Sequence, residues 1–299
     1  MGIYEELKFA VGENNIKRDE SMSRHTTFRI GGSADFFVTP SDADSLAAVL
    51  QILKNSGTPY FIMGNGSNIL VKDKGFRGAV IQIKNNFSSV KIDECTLIAG
   101  AGALLSSVAK NAANNGLTGM EFASGIPGTV GGAVYMNAGA YGGEIKDILK
   151  KITVLDGDKI KELSNDECFF GYRKSRLMEE EFIVLGAEFS LERGDKDIIN
   201  AQMAEFNQRR IQKQPIEFPS AGSTFKRPLN GFAAKLIEDC GLKGFSVGQA
   251  QVSPKHSGFV VNNGGATASD VLSLMEYIEK TVFSKTGVML EPEVRIIGE

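Results

Sequence analysis

Side chains that bind metals through nitrogen or sulfur are scarce in this chain. Its 299 residues include two histidines, His25 and His256, and three cysteines, Cys95, Cys168 and Cys240. The cysteines are odd in number and widely separated, which argues against a disulfide framework and favours a reducing compartment. No close Cys pair or His cluster has the spacing of a zinc or iron site, so we expect no metal.

Long basic runs and long apolar runs are also missing. The 33 Lys and Arg residues and 36 Asp and Glu residues give a formal charge of -3. Nucleic acid and anionic lipid both favour a concentrated positive face, so neither is expected as the main partner. The start, MGIYEELKFAVGENN, lacks the apolar core of a signal peptide, and no later segment suggests a membrane span. We expect a cytoplasmic protein.

Glycine is concentrated in one uncharged stretch. SGIPGTVGGAVYMNAGAYGG, residues 124–143, contains seven glycines. A flexible linker would contain more serine and charge and fewer large apolar side chains. We interpret the stretch as a loop inside a fold, where the missing Cβ atoms allow something large to lie against the main chain.

A second glycine turn, GNGSN at 64–68, offers successive N–H groups together with the side chains of Ser67 and Asn68. Such a turn can bind a phosphate, although on its own an ordinary β-turn explains the motif better. Paired with SGIPGT at 124–129, it could hold the two ends of a diphosphate, as in a dinucleotide. It is not a Rossmann turn, because strands and no helix follow it.

The length favours two or three lobes. Apolar periodicity, caps and breakers predict both helices and strands, and the helix at 196–214 is predicted to form a hinge between lobes. The other predicted helices are a short first helix, 41–57 with Ser41 as its cap, 104–115, 232–241 and 268–285. The predicted strands are 35–40, 59–64, 69–73, 78–83, two within 89–101, 150–156, 182–192, two near 246–253 and 258–262, and a closing strand at 288–298.

Three further motifs could carry chemistry. GYRKSR at 171–176 is either a solvated basic turn or a clamp for an anionic substrate. Ser223 lacks a G-x-S-x-G frame, so it suits proton transfer or ligand binding better than nucleophilic attack. In the closing strand, periodicity places Glu291, Glu293 and Arg295 on one face, as an exposed ion-pair stripe or as a carboxylate that takes part in a reaction.

Several long motifs occur together in one order: RHTTFRIGGSADFFVTP, GNGSNILVKDKGFRGAVI, EFASGIPGTVGGAVYMNAGAYGGEI, FGYRKSRL, PSAGSTFKRP and LEPEVRIIG. From about residue 18 to the end, the chain resembles the UDP-N-acetylenolpyruvoylglucosamine reductase family (UDP-N-acetylmuramate dehydrogenases), flavoenzymes of bacterial cell-wall synthesis. The short passage from Arg176 to Arg193 leaves no room for a Tyr-bearing substrate flap, so the chain resembles the shorter branch. It departs from common family forms at Gly248-Gln249 and Arg227.

The resemblance implies a fold. It is an α+β fold with a two-lobed FAD-binding module of the vanillyl-alcohol-oxidase type and a C-terminal α+β substrate-binding domain. The implied limits are an N-terminal helix at 1–17, FAD lobes at 18–85 and 86–205, and a substrate domain at 206–299 whose last strand returns towards the FAD module.

The resemblance also implies a reaction. NADPH reduces non-covalently bound FAD, and the reduced flavin passes hydride to the enolpyruvyl ether of UDP-N-acetylglucosamine, which becomes UDP-N-acetylmuramate. Arg173 and Glu293 are implied to stabilise the enolate, and Ser223 to protonate it. We expect a monomer that acts on this nucleotide sugar and binds neither nucleic acid nor membrane.

Binding residues also follow from the resemblance. Those implied to contact FAD are Gly64, Asn65, Gly66, Ser67, Asn68, Ser124, Gly125, Ile126, Pro127, Gly128, Thr129, Gly131, Gly132, Asn137 and Ala138. Those implied to contact substrate are Tyr172, Arg210, Lys213, Lys226, His256 and Arg295.

Two alternatives remain open from the sequence. One is an FAD oxidase or dehydrogenase of the same fold that acts on an alcohol or lactone. The other is a regulatory module that binds flavin or nucleotide without catalysis, and it predicts a yellow protein that NADPH cannot bleach.

Overall fold

The computed structural model describes residues 2–229 and 231–299. By compactness the chain forms two units, each with its own apolar core. Unit 1 comprises Met1–Arg18, Phe36–Asn65 and Gly78–Arg209, and unit 2 comprises Asp19–Asp35, Gly66–Arg77 and Arg210–Glu299. This division is a different description from the domain limits expected at 17, 85 and 205, which stay predictions.

The helices follow most of the predicted positions. They are α1 (Ile3–Val11), α2 (Ala43–Ser56), α3 (Leu105–Asn114), α4 (Val130–Tyr135), α5 (Ile145–Ile148), α6 (Lys196–Lys213), α7 (Ala233–Asp239) and α8 (Ala268–Thr286). The boundary between the units falls within α6, after Arg209. Among the described residues, no helix is both long enough and apolar enough to span a bilayer.

The strands occur in groups between these helices, such as the group between α2 and α3. They are β1 (Ile16–Ser21), β2 (Ser33–Val38), β3 (Tyr60–Met63), β4 (Ile69–Val71), β5 (Phe76–Gln82), β6 (Val90–Asp93), β7 (Thr96–Gly100), β8 (Leu117–Thr118), β9 (Gly139–Ala140), β10 (Gly143–Glu144), β11 (Leu149–Asp156), β12 (Lys159–Ser164), β13 (Ile183–Ser190), β14 (Glu192–Arg193), β15 (Ser246–Val247), β16 (Ala250–Val252), β17 (Val260–Asn262) and β18 (Arg295–Ile297).

The largest sheet is antiparallel and has the order β12-β11-β13-β7-β6. A second sheet has the order β1-β2-β5-β3, in which β3 runs parallel to β5. In the first sheet, Ile152, Val154, Ala187 and Phe189 are buried, and they belong to the same core as the α3 residues Leu105 and Val108. This core holds the glycine stretch of unit 1 in place, because Val130 and Val134 of α4 are also fully buried in it.

The predicted cap of α2 was wrong by one residue. The N-cap is Asp42, whose Oδ1 accepts a hydrogen bond of 2.7 Å from the Ser45 amide, while the Ser45 hydroxyl accepts one of 3.1 Å from the Asp42 amide. Ser41 lies one residue before the cap, where its hydroxyl donates to the Asp42 carboxylate at 2.9 Å and its amide donates to Ser45 Oγ at 3.1 Å. A carboxylate at this position also interacts favourably with the positive end of the helix dipole. Gly57 ends the helix in the left-handed region at φ +63°, as predicted.

The interpretation of residues 124–143 as one loop was also wrong. Val130 to Tyr135 form α4, and β9 and β10 form a small hairpin. A Cβ on Gly131 would lie 3.0 Å from the Ala101 Cβ, so this glycine allows the helix to pack closely on the chain that follows β7. Periodicity could not reveal this helix, because glycine is a poor helix former and the contact that favours it lies far away in sequence.

In unit 2, α8 packs on the antiparallel sheet β15-β16-β17. The closing strand is shorter than predicted, since only Arg295–Ile297 form a strand, and this strand pairs in parallel with β4. Pro292 has no N–H to donate to a ladder, and there the chain makes an isolated antiparallel bridge with Phe225 instead.

The first turn of α8 depends on Asp73. Its carboxylate accepts from the amides of Ala268 (2.7 Å) and Ser269 (2.8 Å) and from the Ser269 hydroxyl (2.6 Å). Partial burial acts to raise the pKa of Asp73, but these hydrogen bonds outweigh it and lower the pKa below the usual 3.8. The stabilisation is therefore present above the unfolded pKa and is lost as pH falls through the folded pKa.

We expect Asp73→Asn to lower the free energy of unfolding of this region by about 1 kcal/mol at pH 7, as for loss of a helix cap. Amide hydrogen exchange in the first turn of α8 should become faster, and the difference from the unmodified protein should shrink as pH falls below 3.8. Asp158→Asn, at an exposed turn position, is the control. Equal exchange rates at pH 7 would contradict the capping role.

The three cysteines are free thiols in different surroundings. Cys168 and Cys240 are buried and Cys95 is partly exposed. Burial raises the pKa of Cys168 to about 11, with a contribution from the charge of Glu167. Because the thiolate is the reactive form, Cys168 should be inert at pH 8.

We expect an aromatic disulfide reagent to label only Cys95 in the folded protein at pH 8, and all three thiols after unfolding. Absorbance of the released thiolate measures the number of thiols labelled. Cys95→Ser should remove the fast phase, whereas rapid labelling of Cys168 in the folded protein would show that its surroundings differ from those described.

Candidate active site

The two glycine turns meet in unit 1. Asn65 Nδ2 donates to the Pro127 carbonyl at 2.7 Å, and Gln82 Nε2 donates to the Gly64 carbonyl at 3.0 Å. A Cβ on Gly64 would lie 2.1 Å from Thr129 Oγ1, so only glycine allows the turns to come this close. The remaining residues of GNGSN, Gly66, Ser67 and Asn68, belong to unit 2.

Several donors in these turns have no partner within the part of the chain that the structure describes. The amides of Asn65, Gly125 and Gly128 donate no hydrogen bond there, and Ser124 Oγ is buried without a partner. Buried polar groups are normally hydrogen-bonded, and neutral donors in a glycine turn suit a phosphate or a flavin carbonyl. These residues therefore fit a flavin dinucleotide.

Other residues expected to contact FAD have polar groups that are hydrogen-bonded to the protein itself. The amides of Ile126, Gly131, Gly132 and Ala138 donate to Ala123, Ala101, Thr129 and Ala133 respectively. The Asn137 side chain is fully buried and bonded to three protein groups. This favours a structural role for Asn137 over direct contact with a ligand.

Arg173 lies in a tight turn of unit 1. Gly171 and Lys174 exchange two main-chain hydrogen bonds, of 2.9 and 3.2 Å, and Arg173 adopts φ +52° between them. Its guanidinium donates to the carbonyls of Gly139 (3.1 Å) and Asn137 (3.5 Å) and lies 5.2 Å from the centre of the half-exposed Tyr172 ring. The turn thus fixes the positively charged guanidinium beside an aromatic ring.

Ser223 and Glu293 lie on neighbouring antiparallel segments of unit 2. The Glu293 amide donates to the Thr224 carbonyl at 2.8 Å, and Asn68 Nδ2 donates to the Glu293 carbonyl at 3.0 Å. Ser223 is exposed, and its hydroxyl makes no hydrogen bond to residues 2–229 or 231–299. The sequence did not indicate that Asn68 holds the segment with Glu293.

Most of the residues expected to contact substrate lie in unit 2. Lys213 is exposed at the end of α6, Arg210 is half-buried on the same helix, and Lys226 forms an ion pair with Glu291. Arg295 is exposed, and its amide donates to the Asn68 carbonyl at 2.9 Å.

His256 is also in unit 2. Its Nδ1 accepts from the Gly258 amide at 3.1 Å, and burial lowers the pKa of its ring. We therefore assign it as a neutral imidazole with its proton on Nε2, which can donate one hydrogen bond but offers no positive charge.

The comparisons with known proteins agree with this arrangement. Residues 34–160 match the model of an FAD binding domain, and residues 214–297 match that of the C-terminal domain of UDP-N-acetylenolpyruvoylglucosamine reductase. The chain is 52% identical over 298 residues to the UDP-N-acetylenolpyruvoylglucosamine reductase of Caldanaerobacter subterraneus subsp. tengcongensis, covering 99% of this chain and 98% of that one. The chain belongs to the UDP-N-acetylenolpyruvoylglucosamine reductase family. The expected family is confirmed.

Solved structures support the same conclusion for the fold of this family member. The crystal structure of the Thermus caldophilus reductase aligns with a TM-score of 0.83 at 36% identity, covering 95% of this chain and 99% of that one. A variant of berberine bridge enzyme, described as a reticuline dehydrogenase, aligns with a TM-score of 0.50 at 12% identity over 75% of this chain and 52% of that one, a likeness of fold alone. The expected α+β fold, an FAD-binding module of the vanillyl-alcohol-oxidase type with a C-terminal reductase domain, is confirmed, and the protein is an FAD-dependent oxidoreductase.

Proposed function

We propose that this protein reduces the enolpyruvyl ether of UDP-N-acetylglucosamine to UDP-N-acetylmuramate in peptidoglycan precursor synthesis, with NADPH as the hydride donor. The observation that carries the proposal is the 52% identity to a reductase of that name over 99% of the chain. We further propose that it works as a cytoplasmic monomer on this nucleotide sugar.

The glycine turns of unit 1 are proposed to bind FAD without a covalent link. The amides of Asn65, Gly125 and Gly128 and the Ser124 hydroxyl would supply the hydrogen bonds. The chemistry that FAD supplies when bound is hydride transfer, from NADPH to the methylene carbon of the enolpyruvyl group. These neutral donors bind a dinucleotide without burying cations beside it.

Arg173 is proposed to stabilise negative charge on the substrate. Adding hydride to the methylene carbon leaves negative charge on the adjacent carbon, and this charge is delocalised into the substrate carboxylate as an enolate. A guanidinium already held by the carbonyls of Asn137 and Gly139 needs little reorganisation as this charge forms. Glu293 is proposed as its partner in stabilising the enolate.

Ser223 is proposed to protonate the carbon next to the one that receives hydride. Its exposed hydroxyl makes no hydrogen bond to the described residues, so no internal contact must break before it donates. Protonation of this carbon completes the conversion of the enolpyruvyl ether to the lactyl ether.

A visible spectrum of the purified protein tests the whole proposal. We expect flavin absorbance that NADPH bleaches without oxygen, and that returns when the enolpyruvyl nucleotide is added. Mass spectrometry should then detect UDP-N-acetylmuramate, and UDP-N-acetylglucosamine without the enolpyruvyl group is the control. A flavin that NADPH cannot bleach would favour a regulatory module, whereas bleaching only by an alcohol or lactone would favour an oxidase or dehydrogenase of the same fold.

A further inference from the structure

Asn137 lies where three parts of unit 1 meet. Its Nδ2 donates to Glu144 Oε2 at 2.8 Å and to the Gly171 carbonyl at 3.0 Å, and its Oδ1 accepts from the Lys146 amide at 3.0 Å. The side chain is 0% exposed. It therefore ties β10 and the start of α5 to the first residue of the turn that carries Arg173.

The main chain of Asn137 also contacts Arg173 itself. Its carbonyl accepts from Arg173 Nη1 at 3.5 Å, and the Gly139 carbonyl two residues later accepts from Nη2 at 3.1 Å. Asn137 thus contacts Arg173 in two ways. Its side chain holds the turn through Gly171, and its main-chain carbonyl holds the guanidinium.

The backbone around these contacts is strained. Asn137 adopts φ +42° and Arg173 φ +52°, both in the left-handed region that glycine favours. Asparagine tolerates this region better than most residues, but arginine does not. Such conformations persist only where surrounding contacts hold them, and the hydrogen bond from Asn137 to Gly171 is a contact of this kind.

We propose that Asn137 is a positioning residue for Arg173, one that holds the guanidinium where charge develops on the substrate. This rests on the role proposed above for Arg173. It differs from the FAD contact that the resemblance implied for Asn137, because all three side-chain hydrogen bonds of this residue go to the protein.

Two substitutions at Asn137 distinguish the effect of its side-chain hydrogen bonds from the effect of its backbone conformation. Asn137→Gly accepts φ +42° without strain and removes all three side-chain bonds. Asn137→Asp keeps the volume and the acceptor for Lys146 but removes both N–H donors. In stopped-flow measurements on the holoenzyme, we expect flavin bleaching by NADPH within about threefold of the unmodified protein and reoxidation by the enolpyruvyl nucleotide about 10- to 100-fold slower.

Glu121→Gln is the matched control. Glu121 is a buried carboxylate of the same unit that accepts from Thr118 Oγ1 and the Gly119 amide, and it lies outside the Arg173 network. This variant should lose stability without changing the ratio of the two half-reaction rates. Equal slowing of both half-reactions in the Asn137 variants would indicate a general structural role and overturn the proposal.

A second readout does not depend on turnover. Phenylglyoxal modification of Arg173 in the resting holoenzyme, measured by peptide mass spectrometry, should become several-fold faster in the Asn137 variants, since an unanchored guanidinium is more accessible. Glu144→Ala removes one hydrogen-bond partner of Asn137 and should also speed the modification of Arg173, by a smaller factor. If the Asn137 variants do not fold, this variant tests the proposal in their place. Unchanged modification would overturn the proposal.

Arg173→Ala separates the proposed positioning role of Asn137 from the proposed role of Arg173 in the reaction. If it slows reoxidation while the Asn137 variants do not, the positioning role fails and the proposed function stands. If Arg173→Ala leaves reoxidation unchanged, the proposed role of Arg173 fails, and the role of Asn137 fails with it.

Discussion

Glu293→Gln is expected to leave reduction of the flavin by NADPH nearly unchanged and to slow reoxidation by the enolpyruvyl nucleotide by about two or more orders of magnitude. The substitution is isosteric, and Glu293 is held through its main chain by Thr224 and Asn68, so the backbone should not move. What is lost is the ionisable carboxyl group, the part proposed to act beside the enolate.

Single-turnover stopped-flow traces at the flavin absorbance maximum measure the two half-reactions separately. Glu276→Gln removes a carboxylate that pairs with Lys280 on α8 of the same unit, and it should leave both rates unchanged. If Glu293→Gln reoxidises at the rate of the unmodified protein, Glu293 has no part in the mechanism.

Ser223→Ala is expected to slow reoxidation by about two orders of magnitude as well, because a positioned proton donor typically contributes that much. The Ser223 hydroxyl is exposed and makes no hydrogen bond within residues 2–229 and 231–299, so its removal should not change the thermal midpoint. A large kinetic effect without a stability effect would be the signature of a catalytic group.

The product formed in D₂O gives an independent check. With Ser223 present, deuterium should enter the protonated carbon in one configuration, whereas slow protonation by solvent in Ser223→Ala should reach both faces. NMR of the isolated product measures the ratio, and Ser273→Ala, at an exposed position of α8, is the control. A full reoxidation rate with one configuration in Ser223→Ala would exclude Ser223 as the donor.

Local patterns predicted the elements that depend on near neighbours. α2 ends at Gly57, and α8 spans nearly the predicted residues with Thr267 as its cap, because caps and apolar spacing act within a few residues. The closing strand was predicted too long, since its pairing depends on β4, which lies more than 200 residues earlier in the chain, and no local pattern records that distance.

The sequence by itself determined the family and the FAD-binding domain, because long motifs in one order are visible without coordinates. The same motifs indicated Arg173, Ser223 and Glu293 as candidates for the site, and their roles stay proposals. Only the tertiary structure decided that residues 130–135 form a helix and that the two glycine turns touch. It alone revealed that Asn137 is hydrogen-bonded to the turn that contains Arg173 and to the Arg173 guanidinium. Each of these depends on contacts between residues about 30 to 60 positions apart, and such contacts form only when the chain has folded.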